Sequence, residues 1–296
     1  LNTTKTTALN YALWADLGLL VKFKLSLMVV VSSLMTYWVL AQGTFSWTDF
    51  ALLTFGGLSV TFAANALNQA IERDYDKLMK RTAMRPVAAG RMSFSTAILF
   101  AGLFCLLGTS LLALLHPAAA LLGMVSFVMY GFVYTPLKRH SPIAIPVGAI
   151  PGALPVLIGG VAATGGFTPA VVCLFALQYL WQFPHFWSIA WLGHSDYMRA
   201  GFRLINDVNG RPDPKYGLYS AVYALLSAVP ITAYQLHASL PVGIFISLCL
   251  LIVAYSVFAY QLYMHNNAAA ARRLMFASFF YLPLLFGLFI LGTING

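Results

Sequence analysis

Residues 50–71, FALLTFGGLSVTFAANALNQAI, run for 22 positions without a charged side chain, and residues 72–76, Glu-Arg-Asp-Tyr-Asp, then place four charges in five. About 20 apolar residues cross a bilayer as a helix, so the first stretch reads as a transmembrane span and the second as its exit into water. Working outward, apolar runs bounded by charge, Pro and Gly give nine spans: 19–41, 49–72, 94–115, 117–135, 143–164, 169–192, 217–236, 239–263 and 274–294. Composition agrees, with 60% hydrophobic and 8% charged residues against roughly 45–50% and about 25% in soluble domains. A water-soluble globule is excluded. The organisation read from the sequence is a polar N-terminal tail, 1–18, and one all-α polytopic membrane domain, 19–296.

The 17 Lys and Arg residues check the count. Lys5, Lys22 and Lys24 precede or begin the first span, and Arg73, Lys77, Lys80, Arg81, Arg85 and Arg91 surround the second connection. Lys138 and Arg139 lie in the fourth, Arg199, Arg203, Arg211 and Lys215 in the sixth, and Arg272 and Arg273 in the eighth. Odd connections hold none. Positive charge stays on the cytoplasmic side during insertion, so the N-terminus is expected in the cytoplasm and the C-terminus on the opposite face. With no h-region and cleavage site at the start, no removable secretory signal is expected, and with no Arg/Ser-rich presequence a bacterial plasma membrane is favoured over the mitochondrial inner membrane. Cys105, Cys173 and Cys249 fall inside apolar runs without paired spacing, which argues against disulfides and zinc. No nucleic-acid motif is present.

Part of the net charge of +9 is an orientation and lipid-contact signal. The second and sixth connections go further, because Glu72, Asp74, Asp76, Asp196, Asp207 and Asp213 interleave there with the cations. At 100° per residue, Asn65, Asn68, Glu72 and Asp76 share one stripe about 80° wide. Polar groups at membrane depth rarely face lipid. Carboxylate and amide oxygens at i, i+4 and i+8 suit Mg²⁺, which keeps water and substrate phosphate in its shell, and the donors of Lys80, Arg81 and Arg85 suit phosphate oxygens. The competing reading is a cap of i,i+4 salt bridges, which leaves Asn65 and Asn68 unexplained. In the sixth span Gln178, Gln182 and His185 form a second stripe, with Asp196 on the same side if Pro184 does not kink the helix.

The segment Asn68-Gln-Ala-Ile-Glu72-Arg-Asp-Tyr-Asp76 resembles the N-x-x-x-D-x-x-x-D motif of the UbiA intramembrane prenyltransferases. The continuation Met79-Lys-Arg81-Thr82 with Arg85-Pro86, the segment Tyr134-Thr-Pro-Leu-Lys-Arg139, and Trp181-Gln-Phe-Pro-His185-Phe-Trp with Asp196-Tyr197 resemble the heme O synthases within it. The resemblance spans about residues 20–290. It implies nine helices around a central cavity and a prenyl transfer from farnesyl diphosphate to the 2-vinyl group of protoheme IX. Asn68, Glu72 and Asp76 would hold Mg²⁺, with Asp196 as a further catalytic carboxylate; Arg73, Lys80, Arg81, Arg85, Lys138 and Arg139 would bind the diphosphate. His185, Gln182, Arg199 and Tyr197 would contact heme, with Arg199 or Arg203 near a propionate. Heme b is then a substrate, and a heme A synthase or terminal oxidase is the kind of partner such an enzyme would serve.

The sequence departs from the pattern twice. Position 72 is Glu where Asp is usual, and the second aspartate-rich motif shrinks to Asp196, with Ala200 at i+4 and Gly201-Phe-Arg203-Leu-Ile in place of Gly-x-Pro-Met-Leu-Pro. Two alternatives remain at this point: a related enzyme acting on a quinone-precursor or chlorophyll-type ring, and a membrane transporter.

Overall fold

The computed structural model describes residues 13–294. Among them nine helices of spanning length form the bundle: α1 (Phe23–Leu40), α2 (Trp47–Ile71), α3 (Phe94–Leu115), α4 (Pro117–Leu137), α5 (Ala144–Thr164), α6 (Pro169–Leu192), α7 (Lys215–Ala238), α8 (Val242–His265) and α9 (Ala268–Ile294). Eight are both long and apolar enough to cross a membrane. The ninth, α6, has the length, 24 residues, and runs through Pro184 unbroken; Gln178, Gln182, Pro184 and His185 dilute its apolar character.

Helix starts follow local chemistry. Ser46, Ser93 and Thr168 sit extended before α2, α3 and α6, and each side-chain oxygen accepts a backbone N–H three residues on, satisfying a donor that the first turn leaves free. Two boundaries differ from the sequence reading by more than three residues. Helix α9 starts at Ala268 and not near 274, because alanines 268–271 favour helix and Arg272 and Arg273 can snorkel to the rim. Helix α1 starts at Phe23 and not near 19: the chain is helical over 13–20, then breaks at Lys22, whose φ of 47° is left-handed. The tail assigned to 1–18 therefore contains helix from residue 13, and residues 1–12 lie outside the described part.

Sequential helices pack side by side, and α9 returns to α1 to close the ring. Helix α5 packs against α1, α4 and α6 and is the most buried of the spanning helices. The even connections meet on one face. Arg81 Nη2 donates to the Tyr197 hydroxyl (3.2 Å), Arg139 Nη1 to that of Tyr75 (2.5 Å), and Arg203 N to the Lys138 carbonyl (2.7 Å). The sixth connection carries a short hairpin, β1 (Asp207–Val208) with β2 (Arg211–Pro212), docked by His194 Nε2 at 2.8 Å from Asp207. The basic connections therefore form one surface, as the charge segregation requires.

Candidate active site

Helix α2 delivers its polar residues to this face. Its regular turn ends at Glu72, and the one-turn helix Arg73–Asp76 continues beyond it, so Asn68, Glu72 and Asp76 remain on one side and are all buried. Each faces a cation. Lys22 Nζ donates to Asn68 Oδ1 (2.8 Å), Lys138 Nζ pairs with Glu72 Oε1, and Arg85 Nη1 meets both oxygens of Asp76 (2.9 and 2.8 Å). The pairs share a neighbourhood, because Asn68, Glu72 and Asp76 follow one another in four-residue steps along one face. Two carboxylates thus stand against three cations.

Lys22 is the residue that the sequence reading left among the topology signals. The helix break places it here. Its cost is met by amides of α2: Gln69 Nε2 donates to the carbonyls of Leu19 and Leu20 (2.7 and 3.0 Å), and Asn65 Nδ2 to that of Val21 (3.3 Å) and to Ser26 Oγ (3.0 Å). Carbonyls that a terminated helix would leave unpaired are satisfied, and Asn65 serves to anchor the approach of α1. The left-handed φ is a structural signal that no local sequence pattern announces.

On the far side, α4 passes through a π-helical turn at Met129–Tyr134, a distortion common at functional sites. The extra residue turns Thr135 inward, where its hydroxyl donates to the Tyr130 carbonyl (2.8 Å) and accepts from Asn68 Nδ2 (3.2 Å). Gly131 makes the approach to α2 possible; a Cβ there would lie 2.4 Å from Leu67 Cδ2. Lys138 follows, covered by the rings of Tyr134 (4.8 Å) and Phe202 (5.5 Å).

The remaining residues singled out in the sequence spread over several places. Arg81 and Arg139 stand at the rim, bonded to Tyr197 and Tyr75. Lys80 is exposed, and Arg73 is exposed and paired with Asp74. Asp196 pairs with Arg199 (2.9 Å) on the surface and does not join the α2 cluster. Gln182 turns to α5, donating to the Ala149 carbonyl (2.9 Å) with Oε1 over Gly152, while His185 turns to α9. The residues expected around heme therefore do not converge: His185 and Gln182 face different helices, and Tyr197 and Arg199 lie in the sixth connection.

Among the described residues no three His, Cys, Asp or Glu side chains gather as a ready metal cage. The donor set nevertheless fits a hard cation, since Asn68 Oδ1, Glu72 and Asp76 offer oxygen only and leave most of the shell to water and phosphate, as Mg²⁺ prefers. The carboxylates hold Lys138 and Arg85 in the structure, so a metal would take oxygens that now serve ion pairs.

Comparison with known proteins gives the family. Residues 29–280 match the model of the UbiA prenyltransferase family. The chain is 41% identical over 278 residues to a protoheme IX farnesyltransferase of Cytophaga hutchinsonii (93% of this chain, 96% of that one), and 38% identical to one of Christiangramia forsetii (96% and 95%). Among solved structures it is similar to a UbiA homolog from Aeropyrum pernix K1 (TM-score 0.69, 20% identity, 90% of this chain and 97% of that one). It is also similar to one from Archaeoglobus fulgidus bound to GPP and Mg²⁺ (TM-score 0.64, 14%, 93% and 99%). With nine helices of spanning length among the described residues, a basic face and the Asn68, Glu72 and Asp76 series at the end of α2, this chain belongs to the UbiA prenyltransferase family.

Proposed function

We propose that the protein transfers the farnesyl group of farnesyl diphosphate to the 2-vinyl group of protoheme IX, giving heme O, within a bacterial plasma membrane whose cytoplasmic side holds the basic face. The observation that carries this reading is the cluster of buried Glu72 and Asp76 with Lys22, Arg85 and Lys138 at one rim of the bundle. The acceptor is the one named for the relatives above, and heme is a substrate here.

The chain's own groups supply most of the chemistry. Three basic side chains beside two carboxylates suit an incoming anion, whose charge would favour the protonated form of Lys22. Lys22, Arg85 and Lys138 can turn from their present partners to diphosphate oxygens, with Arg81, Arg139, Lys80 and Arg73 at the outer rim. Asn68, Glu72 and Asp76 would hold Mg²⁺, which when bound neutralises charge on the leaving group. As the allylic C–O bond breaks, its electron pair leaves on the diphosphate, and fixed cations in a dry site stabilise that charge, usually the largest catalytic term. The vinyl π electrons form the new C–C bond, and water adds to the remaining cation with loss of a proton. Tyr134 and Phe202, packed over Lys138, would keep bulk water from the cation before that point. Of the residues expected around heme, His185 is kept for the heme side, Gln182 is engaged with α5, and Tyr197 and Arg199, with Asp196, lie at the edge of the cation surface. A heme A synthase or terminal oxidase is the partner class that would consume the product.

The test is product analysis by mass spectrometry of purified protein given protoheme and farnesyl diphosphate with divalent metal. A farnesylated hydroxyethyl heme supports the reading. Transfer only to a quinone-precursor or chlorophyll-type ring would move the acceptor assignment, and solute flux in proteoliposomes without transfer would replace the enzymatic reading.

A further inference from the structure

A second buried polar group lies away from the α2 cluster. His185 sits seven residues before the end of α6 at Leu192, about 10 Å below the rim at 1.5 Å per residue. Its ring stacks on Trp181 (centroids 4.9 Å apart) and meets Phe279 of α9 edge-on (5.3 Å). Nδ1 lies 2.7 Å from Oγ of Ser278, also on α9 and fully buried.

The hydroxyl of Ser278 has one hydrogen, and it goes to the Met275 carbonyl one turn back. With the Ser278 hydrogen on Met275, Oγ is the acceptor for His185, an assignment that puts the imidazole proton on Nδ1 and leaves the lone pair on Nε2. Trp181 Nε1 donates to the Ser278 carbonyl (2.9 Å), and the Tyr255 hydroxyl donates to the Trp181 carbonyl (3.3 Å), so the stacked pair is held from two helices. Nε2 has no hydrogen-bond partner among the described residues, although 9% of His185 remains exposed beside Phe279, itself half exposed on the flank of the bundle. Here one nitrogen is bonded and the other is left as a ligand in an aromatic wall.

We propose that Ser278 is a positioning residue for the acceptor: it fixes the Nδ1–H form of His185 so that Nε2 ligates the iron of the incoming porphyrin. This rests on the reading of the acceptor as heme. A neutral imidazole binds metal through its unprotonated nitrogen, and an acceptor on the opposite N–H sets the ring's orientation and raises its basicity. The aromatic rings of Trp181, Phe186 and Phe279 match the flat apolar faces of a porphyrin.

The experiment titrates the purified full chain with hemin and reads absorption and resonance Raman spectra, before and after reduction. Wild type is expected to show an imidazole-ligated iron. His185→Gly should lose that signature and regain it with added imidazole, while His185→Met, which keeps the volume, should show thioether ligation or none. Ser278→Ala should retain bound hemin, shift the iron–imidazole stretch and lower farnesyl transfer by about tenfold, as removal of such outer partners does; Ser278→Thr should restore both. An unchanged imidazole signature in both His185 variants, or an unshifted stretch in Ser278→Ala, overturns the proposal. If wild type forms farnesylated heme while the His185 variants keep the signature, the ligand assignment alone falls. If wild type neither binds hemin nor forms that product, the heme reading itself falls.

Discussion

Arg85 grips both carboxylate oxygens of Asp76 through a single nitrogen, at 2.9 and 2.8 Å, and the Asp76 side chain is almost wholly enclosed. The Thr82 hydroxyl donates to the carbonyl of the same residue (2.9 Å), so the loop from 76 to 85 is tied twice. Asp76→Asn is expected to lower farnesyl transfer by at least about 100-fold, the scale of losing one pre-placed electrostatic group, while the protein remains folded. Arg85→Lys, which keeps charge but loses the planar fork, should fall less, by about tenfold. Steady-state kinetics beside a thermal melt separates activity from folding, and wild-type turnover in Asp76→Asn would remove this carboxylate from the site.

Lys22 is expected to act on the diphosphate and not on the acceptor. Lys22→Met should raise the KM for farnesyl diphosphate by about ten- to a hundredfold, in keeping with one charge-assisted hydrogen bond of ~1.5–3 kcal/mol, and should leave hemin affinity unchanged. Gln69→Ala should produce a weaker version of the same effect, because Gln69 holds the carbonyls that precede the break. An unchanged KM in Lys22→Met would return the residue to a purely topological role.

Divalent metal should be required. Chelation is expected to abolish transfer and added Mg²⁺ to restore it, and Glu72→Gln should weaken the restoration by raising the metal concentration needed. Full turnover in excess chelator would show that the cations of the chain suffice alone.

A side chain at Gly131 should be destabilising. A Cβ would sit 2.4 Å from Leu67 Cδ2 and 3.3 Å from its Cγ, and Leu67 is itself buried. Gly131→Ala is expected to cost about 1–3 kcal/mol, the usual penalty of overpacking, and to move Thr135 away from Asn68. Adding Leu67→Ala should recover part of the loss in thermal melts. Additive losses in the double variant would mean that the two helices do not touch at this point.

The hairpin of the sixth connection should undock in acid. The hydrogen bond from His194, followed by the backbone N–H of Gly210, holds the carboxyl of Asp207 below its usual value. A carboxyl depressed on folding contributes its stability above the unfolded pKa, near 3.9 for Asp, and loses it as pH falls through the lower folded value. Proteolysis of residues 193–214 should therefore stay slow down to about pH 4 and accelerate below it, and Asp207→Asn should flatten that acid step. An acid step unchanged in Asp207→Asn would place its origin elsewhere.

Much of this was readable along the chain. Hydropathy gave the nine spans, including α6 with its weaker apolar character, and the parity of Lys and Arg gave the common face, because both properties belong to short windows. The stripe of Asn68, Glu72 and Asp76 followed from helical spacing in the same way. The partners did not. Arg81 reaches Tyr197 across 116 positions, Ser278 reaches His185 across 93 and Lys22 reaches Asn68 across 46, and no window contains such pairs.

The sequence by itself determined an all-helical membrane bundle with its acids and bases at one rim, since crossing lipid forces backbone hydrogen bonds inside each segment and leaves polarity and charge to mark the ends. Only the tertiary structure decided what each polar group meets. It set Lys22 into the site through a left-handed residue, turned Thr135 and Lys138 inward through a π-helical turn, and separated His185 from Gln182 by facing them to different helices. Those outcomes depend on how neighbouring helices approach one another, where a glycine or a one-residue change of winding redirects a side chain without altering the hydrophobic pattern that defines the span.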